Sequence, residues 1–75
     1  MKIEDIVGRV FNVDPRGLSE LSSHDTIDGW DSMGHLTLIL ELERRLGVSL
    51  SIADALEMVD VATIKATLRR YGVDC

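Results

Sequence analysis

Three residues near the middle of the chain could do chemistry together: Asp31, Ser32 and His35, within the string "DSMGH". A serine with an acid before it and a histidine three residues after it can be a nucleophile, a helix cap or the acceptor of a covalent group. The nucleophile reading meets an obstacle at once. The strained elbow that exposes a hydrolase serine needs glycine two residues before and two after it, and Trp30 holds the first place although Gly34 holds the second. His35 could approach the hydroxyl from one turn away, but it projects with the core stripe, and no third residue is spaced to orient it. His24 and His35 have no carboxylate partner at ligand spacing, so no metal motif forms. Cys75 is the sole cysteine and the last residue, so no disulfide can close within one chain, and the thiol is expected to be a tail group without a role.

The cap reading divides the work between neighbours. A capping box would need Glu or Gln three residues after the cap, whereas Gly34 and His35 stand there. Asp31 is expected to accept the first backbone N–H groups of a helix, which leaves the Ser32 hydroxyl at the first helical position and facing solvent. At that point the unpaired N–H groups and the positive end of the helix dipole favour an attached phosphate.

The elements that must position this serine follow from periodicity. Ile3, Ile6, Val7 and Val10 recur at i, i+3, i+4 and i+7, with Phe11 beside them and Asp14-Pro15 as a stop, which predicts helix one over about residues 2–12. Asn12 to Asp31 changes to a Pro-, Gly-, Ser- and Asp-rich connection that Leu18, Leu21 and Ile27 are expected to pin to the core. Helix two is predicted from about Ser32 to Leu46, ended by Gly47. A short third helix is predicted from Ser51, its N-cap, to about Glu57, and a fourth from the cap Asp60 through Val61, Ile64 and Leu68 to Tyr71-Gly72. With no strand-period run in competition, the fold class is all-α: a small four-helix bundle, three longer helices and one short, with a long loop between helices one and two.

Helix two carries more apolar residues than one face can bury. A turn of about 100° per residue groups His35, Leu38, Ile39, Leu42 and Leu46 on a core side and Met33, Leu36 and Leu40 roughly 140° away. Either the second stripe packs beneath the long loop or the short helix, or it is a docking surface flanked by Thr37 and Glu43.

Bulk properties narrow the function. At 75 residues the chain is a single domain, 1–75, that buries roughly 60–65% of its unfolded surface, too little for a deep enclosed active site. A net charge of −5 and a pI of about 4.7 disfavour nucleic acid and anionic membranes and suit basic partner surfaces. The apolar stretch Leu36 to Leu42 contains Glu41 and is far shorter than the about 20 residues that span a bilayer. No secretory leader pattern opens the chain, so the expectation is a cytoplasmic monomer.

Asp31-Ser32-Met33 after a long loop, the run "LTLILELERRLG", and a short helix before "VDVATI" together resemble the acyl carrier proteins over essentially the whole chain. The resemblance implies that a phosphopantetheinyl transferase moves the phosphopantetheine of coenzyme A onto Ser32, whose arm then ends in a thiol that holds cargo as a thioester. It implies that Asp31 helps hold the loop and the transferase contact. Met33, Leu36, Leu40 and Glu43 would face partners, and Met58 would be a further apolar contact for the arm or partner. The partners implied are the transferase, an acyl- or aminoacyl-loading ligase, and downstream synthase or transferase enzymes, with the chain itself no enzyme.

Two departures bear on the subtype. Arg44 and Arg45 stand where fatty-acid members are often acidic, and Gly34 costs a helix about 1 kcal/mol relative to Ala. A free-standing carrier of a specialised pathway, in fatty-acid- or polyketide-type biosynthesis, fits better than a housekeeping one. Peptidyl carriers usually have Gly-Gly before the modified pair, where this chain has Gly29-Trp30. The alternative in a different class is an unmodified acidic adaptor that binds a basic partner through helix two, with Ser32 as a cap only.

Overall fold

The computed structural model describes residues 2–74; Cys75 lies outside the described residues. Among the described residues four α-helices follow one another: α1 (Ile3–Phe11), α2 (Ser32–Leu46), α3 (Ile52–Glu57) and α4 (Val61–Arg70), with a 3-10 turn at Pro15–Gly17 inside the long loop. The predicted bundle is the observed one, and its helix boundaries depart from expectation only at α1, which is shorter by a residue at each end.

Local chemistry accounts for the helix ends. Asp31 accepts from Gly34 N, Ser51 from Asp54 N and Asp60 from Thr63 N, each satisfying one of the donors a helix start leaves open. Thr63 answers Asp60 with its own hydroxyl, which completes a capping box in α4. At the other ends, Asn12 and Gly47 take left-handed backbone (φ 56° and 67°), the conformation in which a C-terminal N–H turns back onto the last carbonyls.

The core lies where α1, α2 and α4 meet. Ile3, Ile6 and Val7 of α1, Leu38, Ile39 and Leu42 of α2, and Ile64 and Leu68 of α4 are buried together. Helix α3 differs: all its residues are exposed or half-buried, with Ala55 as its packing contact to the core. A one-and-a-half-turn helix with so little burial is held by hydrogen bonds instead. Arg70 reaches Asp54 and Glu57 at 3.1 and 3.0 Å, and the Tyr71 hydroxyl donates to Asp54.

The long loop is tied down mainly through its backbone. The carbonyls of Ser22 and Glu20 accept from Val61 N and Ala62 N, both at 3.0 Å, so the loop takes up two further open donors at the start of α4. Lys65 adds ion pairs to Glu4 of α1 at 2.7 Å and Glu20 of the loop at 2.8 Å. Ile27 is buried and Leu18 half-buried, as expected, but Leu21 is 81% exposed. The turn that delivers Glu20 and Ser22 to α4 buries the small Ser22, whose hydroxyl accepts from Ser19 N at 2.9 Å, and so directs Leu21 outward.

Candidate functional site

Ser32 is exposed at the first position of α2, and the capping is done by Asp31, whose Oδ1 accepts from Gly34 N at 2.8 Å. The loop and helix meet here at unusually short range. Gly29 has φ +89°, a conformation natural only to glycine, and its carbonyl oxygen stands 2.0 Å from where a Cβ on Gly34 would lie. The Phe11 ring edge would be 2.9 Å from the same point. Gly34, a poor helix former by propensity, is therefore required by the approach of the loop, which holds the first turn of α2, and Ser32 with it, against α1.

Trp30 extends this contact. It is buried, stacks on Phe11 with ring centroids 5.3 Å apart, and donates from Nε1 to His35 Nδ1 at 2.9 Å. An indole N–H can only donate, so Nδ1 is the accepting nitrogen and Nε2 carries the proton, which it donates to the Ala55 carbonyl at 2.8 Å. Both ring nitrogens are thus committed, and His35 links the loop, α2 and α3. It is not a base for Ser32, and the hydrolase reading has no second member.

An open cleft of about 350 Å³ lies beside the serine, lined by His24, Trp30, Asp31, Ser32, His35, Leu56 and Val59. Beyond it the second stripe of α2 faces out: Met33 is 73%, Leu36 53% and Leu40 56% exposed. The loop and α3 leave these side chains uncovered, so the packing alternative for the stripe fails.

Two residues expected to contact the arm or a partner make contacts within the fold. Met58 is 0% exposed and belongs to the core, so it is not a surface contact for a partner. The exposed apolar residues at that end are Ile52, Leu56 and Val59, which recur at i, i+4 and i+7 and could have been read as the stripe of α3, with Ala55 and Met58 on its inner side. Glu43 is half-buried and its Oε2 accepts from Leu50 N at 2.8 Å, which fastens the connection between α2 and α3. The other acid of α2, Glu41, receives Arg44 at 3.0 Å and Arg45 at 2.7 Å, and these two guanidinium groups pull its pKa down from 4.5 to about 2.

The arrangement can present an attached group. An exposed hydroxyl sits on a rigid helix start, relieved of capping duty, next to an open cleft and a row of exposed apolar side chains. His35, the histidine the nucleophile reading rested on, is held by Trp30 and Ala55 instead. A family model described as a phosphopantetheine attachment site matches residues 2–70. No curated protein gives a significant match to the chain.

Proposed function

We propose, for a chain that belongs to the phosphopantetheine attachment site family, that Ser32 is the serine that bears the arm and that the protein is a non-catalytic carrier. The family's cofactor is 4'-phosphopantetheine, bound covalently to a serine. When attached, the group supplies a thiol that holds a carboxylic acid as a thioester. This chain's own residues do the rest. Asp31 caps the helix so that Ser32 stays available, Gly29 and Gly34 fix the serine's position, and Met33, Leu36 and Leu40 offer an apolar contact to the enzymes that load and unload the arm.

The observation that carries the reading is the division between Asp31, which is engaged with the backbone, and Ser32, which is exposed at the helix start. The attaching reaction is balanced if the Ser32 oxygen displaces the adenosine bisphosphate portion of coenzyme A at phosphorus and gives up its proton to the transferase. The cargo is an acyl or aminoacyl group of a specialised pathway: the two arginines of α2 and Gly34 set the chain apart from the housekeeping fatty-acid carriers, and Gly29-Trp30 in place of Gly-Gly favours acyl over aminoacyl cargo. The reading includes a cytoplasmic monomer that meets a transferase, a loading ligase and a downstream synthase or transferase.

Intact-mass measurement after incubation with a phosphopantetheinyl transferase and coenzyme A tests this. The expected result is the gain of one arm, localised to the peptide containing Ser32 and lost in Ser32→Ala. That variant should keep its stability within about 0.5 kcal/mol, because an exposed hydroxyl that caps nothing contributes little. No mass gain in the parent chain would leave the unmodified adaptor as the better reading.

A further inference from the structure

The charges of α2 specify more about its partner than the apolar stripe does. The helix carries two acids and two arginines in a chain of net charge −5, and both acids are engaged internally. Glu41 is held by Arg44 and Arg45, and Glu43 by Leu50 N. Arg44 follows Leu40 by four residues, so it continues the exposed face one turn further, and its side chain is 66% exposed. Its bonds to Glu41 run through Nε and one terminal nitrogen, which leaves other N–H donors of the fork for a second carboxylate.

The opposite end of the face is acidic. His24 lines the cleft with Ser32 and pairs with Asp25 at 3.3 Å, while Asp28, which directly precedes Gly29, is exposed and has no cation beside it in sequence. Ser32 and Arg44 are twelve residues apart, about 18 Å along the helix at 1.5 Å per residue. That exceeds the Debye length of about 8 Å at physiological ionic strength, so a partner senses the two ends separately.

We propose that the enzyme surface that docks on α2 is itself polarised: basic where it meets the Ser32 end, apolar opposite Met33, Leu36 and Leu40, and bearing a carboxylate opposite Arg44. This rests on the carrier reading and narrows it. A uniformly basic partner surface pays an electrostatic penalty at Arg44, so the polarity of the face selects among enzymes that would accept the apolar stripe alone.

The test is the rate of arm transfer by a phosphopantetheinyl transferase with coenzyme A, followed by intact mass over a salt series. Arg44→Glu should slow loading roughly threefold to tenfold at low salt, with the loss shrinking as salt rises. Glu41→Gln, which releases Arg44 from its internal partner and leaves the core untouched, should load faster than the parent at low salt. A uniformly basic partner would reverse both signs, and either reversal, or no effect of both variants, overturns the proposal. Circular dichroism of each variant separates a docking effect from misfolding. A parent chain that gains no arm refutes the carrier reading itself, whereas a parent that loads normally while the variants show the wrong sign refutes only the polarised partner.

Discussion

The Gly29 carbonyl oxygen lies 2.0 Å from the position a Cβ of Gly34 would take, so loop and helix touch backbone to backbone beside Ser32. Helix propensity favours alanine at position 34 by about 1 kcal/mol, and the contact opposes it. Gly34→Ala should therefore destabilise the protein by about 1–3 kcal/mol, the usual cost of forcing extra volume into a packed contact. Urea unfolding of the variant decides between propensity and packing. A more stable variant would mean that the loop does not press on the helix here.

The path from Trp30 through His35 to Ala55 predicts how α3 is held. His35→Phe keeps a ring of similar size but leaves the Trp30 N–H without its acceptor and the Ala55 carbonyl with Met58 N alone, at a cost of about 1–3 kcal/mol, most of it for the indole donor left unmet. Amide exchange at residues 52–57 should accelerate more than exchange in α1 or α4. Equal acceleration throughout would show that His35 supports the whole fold and not α3 in particular.

Leu40 and Leu42 test the two faces of α2. Leu42 is buried in the core and Leu40 is 56% exposed. Leu42→Ala should lose about 2–5 kcal/mol of stability, while Leu40→Ala should stay within about 0.5 kcal/mol and chiefly slow arm transfer. Thermal unfolding paired with the loading assay compares them. If Leu40→Ala is as unstable as Leu42→Ala, the stripe is not a docking surface.

Acid sensitivity follows from the carboxylates. Glu41 is lowered to about 2 by Arg44 and Arg45, Glu4 is lowered by its bond to Lys65, and Asp60 is lowered by the Thr63 backbone and hydroxyl. Each holds its proton less tightly when folded, so the unfolded chain binds more protons in the acid range. The stability they contribute is fully present above their ordinary values and is lost as pH falls through the folded ones. For Glu41 the window runs from 4.5 down to about 2. Melting temperature should fall across it, and Glu41→Gln should flatten the low-pH limb. A melting temperature independent of pH in this window would contradict the ion pairs.

What the sequence determined by itself was whatever acts over one or two helical turns. Asp31, Ser51 and Asp60 cap helices by reaching donors three residues ahead, Gly47 ends α2 by its own backbone freedom, and the 3.6-residue period separates Leu38 and Leu42 from Met33, Leu36 and Leu40. The serine left free at a helix start was legible for the same reason. Tertiary structure decided the rest, because the deciding partners are far along the chain or belong to other elements. Trp30 is buried because Phe11 and His35 flank it, and Met58, just past the end of α3, is buried because it joins the core formed by residues of α1, α2 and α4. Leu21 is exposed because its neighbours' carbonyls are taken by α4. Gly34 looked like a weak point of the helix until the loop's approach gave it a reason, and the bond from Leu50 N to Glu43 forms only once the chain after α2 has turned back. Short-range hydrogen bonds and periodicity are written in adjacent letters, whereas steric contact between distant segments exists only once the chain has closed on itself.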